Sequence, residues 1–229
     1  MSAATAAAPL WVSIEGINGV GKTTAARAAA SGLGPRCLLL DELTDHSAEI
    51  LPRRVIGALG TDRDPFLRTG YPVVETLALL ALQIRKAERL DRRHTAGVDV
   101  ILEDRGVDTI AAYQAAILTS DHPETSPELV ARHVLSTARR WRPLPDATIL
   151  LTGDPSVCAR RFADRIGHCL EPSDLPLIDQ IDTLYRKMAA DAPERYNVVD
   201  VADFSPEQSA AAVARIVNAL LDQRGTHAA

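Results

Sequence analysis

A glycine-rich segment near the start of the chain has the residues and the spacing needed to hold phosphate groups. It reads G-I-N-G-V-G-K-T-T from Gly16 to Thr24 and fits the pattern G-x-x-x-x-G-K-[ST] in full. The glycines allow successive backbone N–H groups to turn towards phosphate oxygens, and a helix that begins near Lys22 adds the positive end of its dipole. The Lys22 ammonium is expected to bridge the β- and γ-phosphates of a nucleoside triphosphate, and the Thr23 hydroxyl is expected to ligate Mg²⁺. The sequence therefore predicts a triphosphate site formed by Gly16, Asn18, Gly19, Val20, Gly21, Lys22, Thr23 and Thr24.

A second charged group follows an apolar run further along the chain, at Glu103-Asp104-Arg105. The carboxyl ends of parallel strands lie at one edge of a sheet, so this group is expected to lie opposite the phosphate-binding loop. A carboxylate in that position holds Mg²⁺ or its waters, and a neighbouring arginine can bind a phosphate with two of its nitrogens. We therefore predict Asp104 as a metal ligand and Arg105 as a phosphate-binding residue.

Short apolar runs alternate with longer helical stretches, which favours a mostly parallel α/β sheet. Runs that are apolar on both faces are typical of strands covered by helices on each side. The predicted strands are residues 11–15, 37–40, 98–102, 147–151 and 196–200. The predicted helices are residues 22–31, 73–93, 109–118, 128–140, 155–166, 175–190 and 206–222. The sequence thus predicts five strands, helices on both faces, and a ligand site at the carboxyl ends of the strands.

Length and composition predict one domain. The chain has 229 residues, 46% of them apolar, which is enough for one α/β core and short for two. We expect a single domain over 1–229, with a disordered start over 1–9 and a frayed end over 224–229.

Charge and cysteine content narrow the range of partners. A net charge of −5 provides no field that would collect a nucleic acid polymer or an anionic membrane. Three cysteines without a C-x-x-C pair indicate reduced thiols. Residues 1–9 lack the basic start and apolar stretch of a signal peptide, and the apolar runs fall short of a membrane span. We therefore expect a cytoplasmic protein.

Taken together, the two motifs resemble the thymidylate kinase family of nucleoside monophosphate kinases. That family has E-G-x-D-G-x-G-K-T-T after its first strand and D-R-[YFH]-x-x-S-x-x-A-Y-Q after its third, where this sequence has E-G-I-N-G-V-G-K-T-T and D-R-G-V-D-T-I-A-A-Y-Q. L-A-L-Q-I-R, which ends at Arg85, is similar to the helix whose arginine faces the acceptor nucleotide. A-R-R-F-A-D-R, which begins at Ala159, is similar to the arginine-bearing lid. The resemblance covers most of residues 10–222 and implies a P-loop NTPase fold with a lid over about 158–174.

The resemblance also implies an activity, which is phosphoryl transfer from ATP, with Mg²⁺, to a small-molecule acceptor. That acceptor is a nucleoside monophosphate, dTMP or a related pyrimidine nucleotide. The implied catalytic residues are Lys22, Asp104, Arg105 and a lid arginine, which is Arg160, Arg161 or Arg165. The implied acceptor-binding residues are Arg85, Arg105, Thr109, Tyr113 and Gln114, while Ala202 is expected near adenine. A homodimer through helices near 73–93 and 106–118 is implied as well.

The departures from the family pattern lie mainly on the acceptor side. Acidic residues replace an arginine-bearing turn after the second strand, and a stacking aromatic residue and a polar base contact are absent. The residues at these and the other departing positions are Asn18, Asp41, Glu42, Ala81, Gly106 and Ile110. Within residues 60–72, Phe66 or Tyr71 can supply a ring to the acceptor pocket or can simply anchor the loop.

These departures leave two alternatives open. The first is a kinase of a non-nucleotide alcohol, which needs a base to take the hydroxyl proton, and Asp41, Glu42 or Asp104 could serve. The second is a nucleotide-binding switch without an acceptor, although the N-K-x-D motif of regulatory GTPases is absent.

Overall fold

The computed structural model describes residues 8–43, 50–60, 64–90, 95–120, 122 and 124–227. Within these ranges the strands are β1 (Leu10–Glu15), β2 (Cys37–Leu40), β3 (Val100–Asp104), β4 (Ala147–Thr152) and β5 (Tyr196–Asp200). All four strand pairings are parallel, and the strand order is β2-β3-β1-β4-β5. The predicted five-stranded α/β sheet is therefore confirmed.

Helices cover both faces of the sheet. They are α1 (Lys22–Leu33), α2 (Ile50–Leu59), α3 (Pro72–Glu88), α4 (Val107–Ser120), α5 (Pro127–Arg139), α6 (Pro155–Ile166), α7 (Asp174–Asp191) and α8 (Pro206–His227). Helix α1 packs against α8, while α4 packs against α3, α5 and α7. Every residue of β1, β3 and β4 is buried, as expected of strands covered on each side. No described helix has the length and apolar character needed to cross a membrane.

Local signals explain why several helix starts match the sequence prediction. The Asp154 side chain caps α6 by accepting hydrogen bonds from the backbone N–H groups of Ser156 and Val157, and Pro155 stands at the first helical position. A capping carboxylate followed by proline is a strong start signal, because proline lacks the N–H group that would otherwise go unpaired. The predicted range 155–166 is accordingly the observed one.

Several helices differ from the prediction, among them α1, α2, α3 and α8. Helix α1 runs through Gly32, because the left-handed glycine that ends it is Gly34 (φ 79°), whose N–H donates to Ala30. Helix α3 ends at Glu88, and the predicted extension towards Arg93 falls partly on 91–94, outside the described residues. Helix α2 was not predicted; Pro52 lies in its first turn, where a missing N–H is tolerated. Helix α8 continues to His227, through most of the segment expected to fray.

The third strand lies two residues later than predicted, and this shift brings Asp104 into the end of the strand. Register pairs Leu10 with Val100 and Ile14 with Asp104. Asp104 is therefore the last residue of β3, beside the end of β1, from which the phosphate-binding loop departs. The two motifs meet at one edge of the sheet because parallel strands end at the same edge.

Candidate active site

The phosphate-binding loop has backbone conformations that demand glycine. Gly16 and Gly19 have φ values of 141° and 82°, and Gly21, at the start of α1, has φ 101°. A Cβ atom added at Gly19 would collide with the backbone carbonyl of Cys158, and one added at Gly16 would collide with that of Leu151. Conformation and space together therefore fix glycine at these two positions.

Lys22 is held inside this loop. Its ammonium donates a 2.6 Å hydrogen bond to the carbonyl of Ile17, and the residue is only 3% exposed. Burial, together with the nearby Arg105 guanidinium, lowers the pKa of Lys22 well below its usual range. Anionic phosphate oxygens would offset both effects, which is the electrostatic setting expected of a triphosphate-binding lysine.

Asp104 and Thr23 provide oxygen ligands suited to a magnesium ion. The Asp104 carboxylate is 1% exposed, and the nearby Thr23 hydroxyl favours its charged form. Its Oδ1 atom is buried and has no hydrogen-bond partner among the described residues. Burial raises the pKa of Asp104, and a bound cation would offset that cost. A carboxylate and a hydroxyl, completed by phosphate oxygens and water, are what Mg²⁺ prefers, so these residues fit the ion.

The described residues do not add a cluster of further metal ligands to Asp104 and Thr23. Across the described ranges, no group of three or more His, Cys, Asp or Glu side chains could hold a metal ion. A cation at Asp104 would therefore depend on the nucleotide for most of its coordination, which is how Mg²⁺ commonly binds in kinases.

Arg105 joins the loop to the acceptor side. Its Nη2 donates to Asn18 Oδ1 at 2.5 Å, and its Nε lies 2.8 Å from Glu42 Oε1. Although burial opposes its charge, Glu42 raises the pKa of Arg105 above its ordinary value. The guanidinium also lies beside Tyr113, with its carbon 5.8 Å from the ring centroid. Arg105 therefore contacts the phosphate-binding loop and lies beside Tyr113, and a carboxylate is paired with it.

A cavity of about 570 Å³ opens from the loop to this arginine. Four of the five predicted acceptor-binding residues line it, namely Arg105, Thr109, Tyr113 and Gln114, together with the loop residues Asn18, Thr23 and Thr24. Among the described residues that line it, α3 contributes Leu79 and Gln83 and not Arg85. Arg85 lies two positions beyond Gln83 and outside this lining, so its assignment to the acceptor stays a prediction. A two-residue shift turns a side chain about 200° around a helix, away from the cavity.

Three polar side chains of the cavity have defined orientations. Thr109 donates to buried Glu15 at 2.5 Å, so its hydroxyl hydrogen is used within the protein. Gln114 accepts from Thr76 at 3.0 Å through its Oε1, which leaves its amide nitrogen for other contacts. The Tyr113 hydroxyl is buried, and no described residue forms a hydrogen bond of good geometry with it. An unpaired buried hydroxyl beside an arginine is a feature expected of a ligand site.

Aromatic rings form the apolar wall. Phe66 lies 6.4 Å from Tyr113 and 5.9 Å from Phe162, measured between ring centroids, and both phenylalanines line the cavity. Tyr71, by contrast, is 69% exposed. Of the two rings suggested by the sequence, Phe66 is therefore the one at the acceptor cavity. The Asp64 carboxylate fixes it by accepting from its backbone N–H at 2.9 Å.

The three lid arginines of α6 lie in different places. Arg165 lines the main cavity and its guanidinium lies 5.2 Å from the centroid of the Phe162 ring. Arg161 lines a smaller pocket of about 240 Å³, which also contains Val20 of the loop and Ala202. Arg160 is exposed and is not among the described residues that line either pocket. Of the three arginines predicted for the lid, Arg165 is thus the one that lines the main cavity.

Several residues that line the cavity were not identified from the sequence as acceptor contacts, among them Leu79, Gln83 and Phe162. Leu79 and Gln83 are one helical turn apart, so their i, i+4 spacing places them on one face. That spacing was visible in the sequence, but the rotation of α3 about its axis was not.

Comparison with known proteins supports the family predicted from the motifs. No family model matches the chain. A thymidylate kinase of Bifidobacterium longum subsp. infantis is 26% identical over 212 residues, which are 93% of this chain and 87% of that protein. A probable thymidylate kinase of Methanosarcina barkeri is 26% identical over 197 residues, which are 86% and 89% of the two chains. The crystal structure of a thymidylate kinase from Ehrlichia chaffeensis has a TM-score of 0.63 at 16% identity and covers 93% of this chain and 100% of its own.

The fold and the phosphate-binding loop define a P-loop NTPase of the α/β class. The sequence relatives, matched over nearly the whole chain, support the thymidylate kinase family and indicate a nucleoside monophosphate kinase.

Proposed function

We propose that this protein transfers the γ-phosphoryl group of ATP, bound with Mg²⁺, to a nucleoside monophosphate, dTMP or a related pyrimidine nucleotide. The observation that carries the proposal is one continuous cavity. It is lined both by Thr23 and Thr24 of the phosphate-binding loop and by Arg105 and Tyr113. A donor phosphate on the loop and an acceptor phosphate on Arg105 would therefore share one cavity, which is the arrangement that phosphoryl transfer requires.

On the donor side, Lys22 and the loop amides are suited to the β- and γ-phosphates, with Ala202 near the adenine. Asp104 and Thr23 would hold Mg²⁺, which supplies charge neutralisation at the phosphates when bound. Arg165 is suited to approach the transferring group from α6, whereas Arg160 and Arg161 are not among the described residues that line the main cavity. We propose accordingly that residues of about 158–174 act as a lid.

On the acceptor side, Arg105 is suited to bind the phosphate of the monophosphate. A phosphate dianion is already nucleophilic, so transfer needs positioning and charge neutralisation more than a general base. The dianion must compete with Glu42 for the Arg105 guanidinium, because the two lie 2.8 Å apart. Phe66 and Leu79 provide an apolar surface for the base, in place of a stacking ring on α3.

A homodimer is part of the proposal. The outer face of α3 exposes Val73, Val74 and Leu77, each about 60% accessible. A second copy that covers this face would bury a surface adjacent to the acceptor cavity. Sedimentation of the purified protein tests this point.

The activity is tested by coupled measurement of ADP release from Mg²⁺·ATP with dTMP, dUMP, dCMP, UMP, and the corresponding nucleosides and sugars. We expect strong stimulation by one pyrimidine monophosphate and its loss in Lys22→Ala, because the loop lysine bridges the donor phosphates. Transfer that persists in Lys22→Ala, or ATP binding with no stimulation by any acceptor, would refute the proposal.

One observation favours a second candidate, a kinase of an alcohol. Glu42 lines the cavity beside Arg105, where it could take the proton of a hydroxyl acceptor. The other base suggested by the sequence next to it, Asp41, is exposed and pairs with Arg27 at 3.5 Å. Stimulation of ADP release by nucleosides or sugars, but by no monophosphate, would favour this candidate.

A further inference from the structure

The backbone of Arg105 is left-handed, with φ 59°. Only one other described non-glycine residue, Leu67, has a positive φ of this kind. For a residue with a Cβ, this conformation carries a penalty equivalent to roughly a five- to thirtyfold population bias against it. Tertiary contacts must therefore hold Arg105 in place, since strain of this kind persists only where the surroundings impose it.

Two hydrogen bonds to the peptide units of Arg105 provide that restraint. Its N–H donates to the carbonyl of Ile14 at 3.2 Å, and its carbonyl accepts from Gln83 Nε2 at 3.1 Å. The first bond comes from the neighbouring strand and the second from α3. Gln83 therefore fixes the carbonyl side of the strained residue.

Gln83 is in turn held by a buried charged group. Arg142 donates to Gln83 Oε1 at 2.8 Å, which orients the carboxamide so that its nitrogen faces Arg105. Arg142 is fixed by Glu103, at 3.0 Å, and by Trp11, whose ring centroid lies 4.7 Å from the guanidinium carbon. Trp11 also donates to Glu103 at 2.9 Å. The Arg142 and Glu103 side chains are fully buried, so the assembly is anchored in the protein interior.

We infer that Gln83 is a positioning residue that, with Arg142, presents the Arg105 guanidinium to the acceptor. The Gln83 carboxamide accepts from Arg142 with its oxygen and donates to the Arg105 carbonyl with its nitrogen, so one side chain links the two residues. Both ends of Gln83 are occupied by the protein, so it acts through Arg105 rather than through the acceptor. The inference rests on the proposed function in one respect, namely that Arg105 binds the acceptor phosphate.

The substitution Gln83→Glu separates the two contacts. The new carboxylate keeps the pairing with Arg142 but cannot donate to the Arg105 carbonyl, so the fold is retained while the restraint is lost. We expect the KM and the dissociation constant for dTMP to rise about tenfold, because the strain on Arg105 is then free to relax. The KM for ATP should stay unchanged. Arg142→Lys should act in the same direction, and the double variant should be no worse than the more impaired single variant.

Arg195→Lys is the matched control. Arg195 is another largely buried arginine, and it pairs with Asp108 at 2.7 Å. Its other hydrogen bonds are to Thr148 and Tyr196, so it is not part of the group that holds Gln83. Its replacement should lower the melting temperature without raising the KM for dTMP. An equal rise in this control, a parallel rise in the KM for ATP, or an unchanged dTMP affinity in folded Gln83→Glu would overturn the inference.

A direct observation of Arg105 separates this inference from the proposed function. The Nε–H resonance of Arg105 can be assigned by its loss in Arg105→Lys, and it should shift or broaden in Gln83→Glu. If the wild-type protein neither binds nor phosphorylates dTMP or another pyrimidine monophosphate, the proposed function fails, and the Arg105 resonance then tests the positioning role by itself. An unchanged resonance refutes the positioning role.

Discussion

Replacing Glu42 by glutamine distinguishes the two proposed reactions, because they predict opposite effects. Glu42 Oε1 lies 2.8 Å from Arg105 Nε, and the two side chains are 16% and 7% exposed. In the monophosphate reaction this carboxylate competes with the acceptor phosphate for Arg105. In the alcohol reaction the same carboxylate takes the proton of the attacking hydroxyl.

The size of each effect follows from this geometry. Opposite unit charges about 4 Å apart attract by about 4 kcal/mol at the effective dielectric constant of a partly buried site. Desolvation offsets much of that attraction. If about a third of it opposes acceptor binding, Glu42→Gln lowers the KM for a monophosphate roughly tenfold. Loss of a general base instead lowers kcat for an alcohol roughly 10²- to 10⁴-fold.

The assay is coupled ADP release at saturating Mg²⁺·ATP, with the acceptor concentration varied for the wild-type protein and for Glu42→Gln. Asp41→Asn is the matched control, since Asp41 is 61% exposed, pairs with Arg27 and is absent from the described lining of the cavity. Both KM and kcat should be nearly unchanged in the control. If Glu42→Gln leaves the kinetics of every active acceptor unchanged, the view that this ion pair faces the acceptor is wrong.

Two further predictions concern the loop and a buried acid. Gly19→Ala should abolish ATP binding in calorimetry, because the added methyl group collides with the carbonyl of Cys158; retained affinity would contradict the loop geometry. Burial, with Asp108 nearby, raises the pKa of Glu15 to about 7. The folded state therefore keeps a proton that the unfolded chain releases, and the free energy of unfolding should fall by up to about 3 kcal/mol as pH rises from about 4.5 to about 7. Urea titrations should show that the free energy of unfolding of Glu15→Gln lacks this fall with pH. If it falls equally with pH in the wild-type protein and the variant, the prediction for Glu15 is refuted.

Features set by short stretches of sequence were predictable. The phosphate-binding loop was found because its glycines and Lys22 lie close together, within residues 16–22, so that their spacing alone encodes the geometry. The start of α6 was found because Asp154 and Pro155 cap the helix locally. The five strands were found because runs apolar on both faces have few other stable environments.

Features set by the rotation or pairing of elements were not predictable. Arg85 was assigned to the acceptor through the resemblance of L-A-L-Q-I-R to the family's helix. Gln83 was not identified, because nothing in the sequence fixes how α3 is turned about its axis. Phe66 and Tyr71 were equivalent in the sequence, and the Asp64 turn decides between them by directing Phe66 inward.

The sequence by itself determined the P-loop, the five-stranded parallel α/β fold and the identity of Asp104 and Arg105 as residues at a strand end, since each depends on neighbours within about ten positions. Only the tertiary structure decided that Glu42 pairs with Arg105 and that Gln83 supports its left-handed backbone. Glu42 and Gln83 are separated from Arg105 by 63 and 22 positions, and contacts over such separations arise only when distant elements pack at one edge of the sheet.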